Sequence, residues 1–131
     1  GLKSLISDLS QSNQNLNFKI EIHIAGKINP YVESILNKSV FGEKNITLSF
    51  LGYIENKEEF YNSLDALLIP VSGGSAMPIK ALESVISYSG PVLGTDYIHD
   101  SCSHLISYRS NIFYSPLKFL SSLNSSNLYD S

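Results

Sequence analysis

The segment ALLIPVSGGSAMPIKALESVISYSGPVLGTD, residues 66–96, contains the alternation of elements that decides the fold. It opens with an apolar run that is typical of a strand buried on both faces of a parallel sheet. A connection of small residues follows, and Gly90 and Pro91 end the helix that comes after it. The predicted inward face of that helix consists of Ile79, Leu82, Val85 and Ile86. Because PVLGTD then begins a second buried strand, the segment predicts a strand–helix–strand unit.

Two more strands are predicted upstream of this unit. FKIEIHIAG, residues 18–26, alternates apolar and polar side chains and ends at a glycine. NITLSFLGYI, residues 45–54, is the next strand, with Gly52 near its exit. Helical spacing of apolar residues and the start signals Pro30 and Asn56 predict three helices, at residues 2–9, 30–38 and 56–65.

Downstream of the unit the pattern weakens. Residues 111–114 predict a short last strand and residues 116–123 a helix. Asp96 and Asp100 are expected in a solvated turn after a strand, not as a catalytic pair of carboxylates. The ordered core is expected to end near residue 115, with residues 121–131 as a polar tail.

Strands that alternate with helices predict an α/β fold with a Rossmann-like parallel sheet flanked by helices. The length of 131 residues suits one domain, residues 1–131. Ligands of such sheets bind at the carboxyl ends of the strands, near helix N-termini. The loops after Gly26, Gly52, Val71 and Thr95 are therefore the places where a ligand is expected.

Composition argues against several other classes of protein. The net charge is −3 and the basic residues are scattered, which argues against a nucleic acid as partner. No apolar run reaches the roughly 18 residues of a membrane helix, and no signal-peptide core is present, so a cytoplasmic location is expected. Cys102, the only cysteine, stands between His99 and His104, but no fourth ligand with zinc-site spacing follows, so no metal site is expected.

The connection after the apolar run has the chemistry of an anion site. Glycine and other small residues let main-chain N–H groups approach a ligand, and the next helix adds its positive end. Lys80 lies in the first turn of that helix, an unfavourable place for a cation unless it faces an anion. Glu83 could accept two hydrogen bonds from a vicinal diol such as a ribose. On these residues alone, an ordinary loop and a solvent-facing charged pair remain the alternative.

The strands and the connection together resemble the donor-binding domain of GT-B-type glycosyltransferases, in particular the retaining family 4 group and its relatives. The resemblance extends over residues 1–96, in order and with similar spacing. The matching positions are Phe50-Leu51-Gly52-Tyr53, Phe60-Tyr61, Asp65, Pro70, Lys80, Leu82-Glu83, Gly90-Pro91-Val92 and Thr95-Asp96. The resemblance implies one half of a GT-B fold that binds a nucleoside diphosphate sugar as donor substrate, with no metal and no other cofactor.

The resemblance also assigns roles to individual residues. Glu83 corresponds to the glutamate that binds the ribose hydroxyls, and Lys80 would stabilise the diphosphate leaving group with the loop amides. The main chain of the connection would contact the diphosphate and sugar, and the turn after the second strand would lie against the nucleobase. The candidate binding residues are thus Gly52, Tyr53, Ile54, Gly73, Gly74, Ser75, Ala76, Met77, Lys80 and Glu83. No catalytic residue is assigned within the chain.

The sequence departs from the family pattern at several points. Ser75 stands where many members carry a second, sugar-binding glutamate. The family's first strand, the Arg and Lys that precede the matched region, and the acceptor-binding half have no counterpart. The resemblance therefore implies a fragment that is inactive alone and has the acceptor domain as its partner. An unpaired sheet edge could mediate self-association. Peripheral membrane association is expected only through parts outside the chain.

Two hypotheses about function follow. The first is a donor-binding domain of a glycosyltransferase that moves a hexose-type sugar to a glycan, lipid or small-molecule acceptor, as in polysaccharide biosynthesis. The alternative is a non-catalytic, degenerate transferase-like interaction module. Lys80 and Glu83 favour binding, whereas Ser75 favours degeneracy. A receiver-like signalling domain ranks below both, because the acidic cluster that it needs after its first strand is not visible.

Overall fold

The computed structural model describes residues 1–71, 73, 78–106 and 109–130, with the main chain alone at 101, 103 and 124–130. The chain alternates helices and strands and is an α/β protein with short parallel sheets flanked by helices, which confirms the predicted class at this level. The elements are α1 (Leu2–Ser12), β1 (Ile20–Ala25), α2 (Pro30–Ser39), β2 (Ile46–Gly52), α3 (Lys57–Asn62), β3 (Leu67–Leu68), α4 (Ile79–Ser87), β4 (Val92–Leu93), α5 (Asp96–Ile106), β5 (Ile112–Phe113) and α6 (Pro116–Asp130).

The chain divides into two compact units, the N-terminal unit, Leu2–Ser63, and the C-terminal unit, Leu64–Ser131. The described strands form two sheets, β1–β2 and β3–β4–β5, where the sequence predicts one. Among the described residues, no helix is long and apolar enough to cross a membrane.

The N-terminal unit is built on the parallel pair β1–β2. The strands are in register from Ile20 opposite Ile46 to Ile24 opposite Phe50. Because side chains alternate along a strand, the isoleucines of β1 share one face and Glu21 and His23 share the other. The buried apolar side chains of this unit are Leu5, Ile6, Leu9, Ile22, Leu36 and Ile46. The unit thus has a conventional apolar core beneath one face of its strand pair.

A buried asparagine sets the path of the chain from α1 into β1. Asn13 is only 4% exposed. Its Nδ2 donates to the carbonyl of Phe18 at 2.8 Å, and its Oδ1 accepts from the N–H of Phe18 at 2.9 Å. Asn17, inside the closed turn, adopts a φ of 57°, a conformation that asparagine tolerates better than most residues. The side chain of Asn13 therefore replaces the main-chain partners that Phe18 would have in a sheet.

The C-terminal unit is built on the parallel order β3–β4–β5. Ile69 donates its N–H to Leu93 O at 2.9 Å, and Gly94 donates to Phe113 O at 2.8 Å. The two residues of β4 are fully buried, as expected of a central parallel strand. Its core otherwise consists of Leu67, Ile69, Leu82, Val85, Tyr88, Ile98, Cys102, Ile106, Phe119 and Leu120.

Only two of the four residues predicted to face inward from α4 are buried. Leu82 and Val85 are buried, but Ile79 is 61% exposed and Ile86 is 54% exposed. Ile79 and Ile86 are seven residues apart and share a face beside the buried one, since seven residues span about two helical turns. Four apolar residues at helical spacing define a wide arc, and only part of that arc meets the core.

The segment after Asp96 is a helix, so the predicted turn was wrong. Asp96 and Asp100 both lie on α5, which buries Ile98, Cys102 and Ile106 at four-residue spacing. The helix is rich in Asp, Ser and His, which have weak helix propensity. For this reason the segment did not look helical in the sequence, although its apolar residues have helical spacing. Helix α6 likewise continues through Asp130, beyond the predicted end at residue 123.

Candidate functional site

The candidate residues fall in both units, each described by itself. Gly52 ends β2 and residues 53–54 follow it in the N-terminal unit, whereas Gly73, Lys80 and Glu83 belong to the C-terminal unit. The predicted positions Gly74, Ser75, Ala76 and Met77 lie outside the described residues.

The first turns of α4 present Lys80 and Glu83 together. Both side chains are exposed, and no ion pair joins them among the charged groups that the structure describes. Ser84 is committed to the helix, because its hydroxyl donates to the carbonyl of Lys80 at 3.1 Å. One cation and one carboxylate are therefore free to meet a ligand on this turn.

The N-terminus of α4 also lacks the usual side-chain cap. Its N-cap residue is Pro78, which forms no side-chain capping hydrogen bond, and no acidic residue stands in the first turn. The Pro78 carbonyl accepts the first helical bond, from Leu82 N–H at 3.0 Å. The earlier N–H groups of a helix have no partner within it, and no side-chain cap for them is found among the described residues. This end of α4 thus combines those N–H donors with the positive helix dipole and Lys80. Such an end favours an anion.

The opposite end of α4 is held by Arg109. Its Nη2 lies 2.8 Å from Val85 O, 3.3 Å from Ile86 O and 2.6 Å from Tyr88 O. These are carbonyls at the helix C-terminus, where a cation is favoured by the dipole and by the unfilled acceptors. The Nε atom of Arg109 is buried and has no hydrogen-bond partner among the described residues. The guanidinium thus contacts the carbonyls of α4 through Nη2.

Tyr88 and Gly90 form a second contact just beyond α4. The hydroxyl of Tyr88 donates to Leu64 O at 3.0 Å, and burial raises the pKa of this hydroxyl, with a smaller contribution from Asp65. A Cβ atom on Gly90 would lie 2.7–2.8 Å from the Tyr88 ring, closer than van der Waals contact allows. A larger residue at position 90 would therefore have to displace the Tyr88 ring.

Thr95 connects the ends of two strands to a helix. It follows β4, and its carbonyl accepts from His99 N–H at 3.1 Å as α5 begins. Its hydroxyl accepts from Ile98 N–H at 3.4 Å and donates to the carbonyl of Val71, which follows β3. Thr95 is thus both the N-cap of α5 and a link to the start of the connection that leads to α4.

The turn after β2 has a main chain that glycine makes possible. Gly52 has a φ of 70° and Gly26 a φ of 99°, and Gly26 N–H donates to Gly52 O at 2.6 Å. Both values lie in the left-handed region, which glycine enters without a Cβ penalty. Tyr53 is 74% exposed directly after the strand, so its ring is accessible at the predicted base-binding turn.

Sequence analysis did not identify a polar cluster on β1 and β2. His23 Nε2 lies 2.8 Å from Glu21 Oε1, and Ser49 Oγ donates to the same oxygen at 3.2 Å. The hydrogen bond from His23 lowers the pKa of Glu21, and the hydrogen bond from Ser49 and the charge of His23 lower it further. The carboxylate stands between the serine and the imidazole, so the imidazole cannot take a proton from Ser49 in the manner of a nucleophilic triad.

The residues considered for metal binding are separated on α5. Cys102 is buried, whereas His99 and His104 are exposed. Within the described parts of the chain, no three His, Cys, Asp or Glu side chains are grouped so that they could hold a metal ion.

Comparison with known proteins finds no family model, curated protein or solved structure that matches this chain.

Proposed function

We propose that this chain is the donor-binding part of a GT-B-type glycosyltransferase and binds a nucleoside diphosphate sugar. The observation that carries the proposal is the start of α4, where an uncapped helix end, Lys80 and Glu83 occur together. An uncapped end with a cation in its first turn is unfavourable without an anion, and a diphosphate supplies that anion.

The pairing of strands within each sheet supports the fold part of this proposal. A doubly wound sheet of this class has the strand order 3-2-1-4-5-6. In that order the second and third strands are neighbours, and so are the fourth, fifth and sixth. The pair β1–β2 and the sheet β3–β4–β5, each taken alone, have the pairings of these two groups, all parallel. We therefore interpret the chain as part of one half of a GT-B fold.

The chemistry divides among a few groups. The carboxylate of Glu83 accepts hydrogen bonds from both ribose hydroxyls, a role that an amide or a shorter side chain fills less well. Lys80 and the free N–H groups at the start of α4 offset the charge of the diphosphate, which grows as the sugar leaves. By the resemblance alone, residues 52–54 of the N-terminal unit are assigned to the nucleobase, and transfer requires the acceptor domain.

The test is a calorimetric titration of the chain with UDP, GDP and ADP. One of the three is expected to bind, and Glu83→Ala is expected to weaken that binding by about tenfold to a hundredfold, the usual effect of losing a hydrogen-bonded carboxylate. Glu58→Ala is the matched control, because it removes an exposed carboxylate from the first turn of α3. It should leave binding unchanged.

Either of two results would count against the proposal. Failure of all three nucleotides to bind folded protein would remove the donor-binding role. Equal losses in Glu83→Ala and Glu58→Ala would show that net charge, not a ribose contact, governs the affinity.

The second candidate function is a non-catalytic interaction module. The observation in its favour is that Ile79 and Ile86 are exposed on either side of Glu83, and exposed apolar side chains on one helix face suit a protein partner. Ile86→Ser separates the two functions, since it would weaken partner docking on this face and would leave nucleotide affinity unchanged, because it adds no charge beside Glu83.

A further inference from the structure

Strand β2 has an edge that no described strand pairs with. Ile20 N–H donates to Asn45 O at 2.7 Å, and the parallel register continues from there. Because main-chain groups point to alternate sides along a strand, those of Ile46, Leu48 and Phe50 point away from β1. The sheet consists of β1 and β2, and the described part of the chain offers these three residues no main-chain hydrogen bond from outside it. Their N–H and C=O groups form the open edge of β2.

The open edge of β2 lacks the features with which proteins usually prevent strand pairing. Those features are charged side chains, proline and a very short strand. Strand β2 is seven residues long, Ile46–Gly52, and contains no charged residue and no proline. Strand β1, by contrast, carries Glu21 and His23. Of the two outer edges of this sheet, that of β2 is therefore the one suited to pair with a further strand.

We propose that the open edge of β2 pairs with the same edge of a second copy of this chain, antiparallel, about a two-fold axis at Leu48. A two-fold axis brings the same surface of both copies together. With the axis at Leu48, Ile46 of each copy lies opposite Phe50 of the other, so all three outward residues form hydrogen-bonded pairs. Moving the axis by one residue would place one of the three opposite a residue outside the strand or opposite Gly52, whose carbonyl already accepts from Gly26.

The side chains that meet across the axis are compatible in this register. Ile46 opposite Phe50 is a β-branched and aromatic pair, and Thr47 opposite Ser49 is a pair of hydroxyls, and both kinds of pair stabilise antiparallel strands. No like charges face each other, because β2 has no charged residue. A contact along one strand is small, so the association is expected to be weak and to depend on concentration. It is independent of the proposed function, since it needs no nucleotide.

Analytical ultracentrifugation over a range of concentrations tests the association. The mass of the wild-type chain is expected to rise from that of one chain to that of two. Thr47→Lys should lower the association constant by about tenfold or more, because lysine on an edge strand opposes pairing and the dimer would carry two like charges near its axis. Thr47 is exposed, so this substitution leaves the core intact. Ser34→Lys adds the same charge at an exposed position of α2 and should associate as the wild type does.

Cysteine cross-linking tests the register. In a non-hydrogen-bonded antiparallel pair, such as Thr47 opposite Ser49, the two Cα atoms are about 4.5 Å apart, a distance that a disulfide spans. A mixture of Thr47→Cys and Ser49→Cys chains should therefore form a disulfide-linked dimer on mild oxidation. Either variant alone should form much less, because identical positions lie diagonally across the axis, about 7–8 Å apart. Cys102 is buried, and the oxidised wild-type chain measures any linkage through it.

Several results would overturn this inference. The self-association would be refuted by a wild-type chain that stays monomeric at the highest concentration at which it is soluble. Equal association constants in Thr47→Lys and the wild type, or equal losses in Thr47→Lys and Ser34→Lys, would exclude the open edge of β2 as the contact. Cross-linking of one cysteine variant alone as efficiently as the mixture would exclude the axis at Leu48. None of these results bears on the titration with UDP, GDP and ADP, so the two proposals fail separately.

Discussion

Helices α4 and α5 begin in equivalent places, each after a strand of the same three-stranded sheet, yet their ends are built oppositely. Thr95 caps α5, and Asp96 stands in its first turn. Pro78 precedes α4 without a side-chain cap, and the first turn carries Lys80 in place of an acidic residue. Asn29 caps α2 and Asn56 caps α3, each with an acidic first turn. The start of α5 therefore has its own side-chain cap, whereas no cap for the start of α4 is found in the described part of the chain.

The C-terminal end of α4 is held by a side chain from elsewhere in the same unit. Three carbonyls at the C-terminus of α4 meet the guanidinium of Arg109. Arg109 thus stabilises α4 at its C-terminus, the end away from the proposed ligand. At the N-terminus, no side-chain cap for the first N–H groups is found among the described residues. A protein can leave a helix end open at a binding site when the rest of that helix is held elsewhere.

The largest expected effect comes from removing the contacts of Arg109. Arg109→Met keeps an apolar stem and leaves the three carbonyls without their charged donor. We expect the free energy of unfolding of the C-terminal unit to fall by about 2–3 kcal/mol, as for hydrogen bonds to a charged group. Urea unfolding followed by amide exchange in α4 measures it. Arg109→Lys keeps one compact charge, so its free energy of unfolding should lie between those of the wild type and Arg109→Met. If Arg109→Met is as stable as the wild type, Arg109 does not stabilise α4.

Closing the open end should produce a smaller and opposite effect on stability. Pro78→Ser places a capping hydroxyl where α4 has none. The cap should add about 1 kcal/mol to the stability, partly offset by the loss of about 0.5 kcal/mol that the proline contributes by restricting the unfolded chain. Thermal unfolding measures the difference.

The same variant should bind pyrophosphate several-fold more weakly, because the serine occupies an N–H that the anion would use. Asn56→Ala, which opens the start of α3, is the control: it should lower stability by about 1 kcal/mol and leave pyrophosphate binding unchanged. Tighter binding in Pro78→Ser would mean that the open end of α4 is not where the anion lies.

The smallest expected effect is a change in acid stability and concerns the N-terminal unit. The folded-state pKa of Glu21 lies below its ordinary value of 4.5, so its contribution to stability is present above that value and is lost as the pH falls through the folded pKa. Glu21→Gln should therefore flatten the decline of the urea midpoint as the pH falls below 4.5. If the urea midpoint of Glu21→Gln declines with falling pH as steeply as that of the wild type, other carboxyl groups cause the loss of stability in acid.

The strands and most helices were predictable from sequence, because they depend on patterns within one element. The apolar run that contains β3 and the alternation in β1 each predicted a strand at the right place. Pro30 and Asn56 likewise marked the starts of α2 and α3, where the structure has Pro30 at the first position and Asn56 as the cap.

The contacts that organise the candidate site were not predictable in this way. Arg109 and Thr95 each bind main-chain carbonyls more than twenty residues away in sequence. Every residue has the same main-chain carbonyl. The sequence therefore does not show which carbonyl a distant side chain will bind. The exposure of Ile79 was missed for a related reason, since helical spacing identifies an apolar arc but not the part that the core covers.

The contact between Gly90 and Tyr88 has a consequence for how this sequence can evolve. The tyrosine ring fills the space that a side chain at position 90 would need, and its hydroxyl reaches back to Leu64. A side chain at position 90 would displace the tyrosine ring unless position 88 carries a smaller residue, and such a residue loses the hydrogen bond to Leu64. We therefore expect the two positions to covary, so that related sequences with tyrosine at 88 carry glycine at 90.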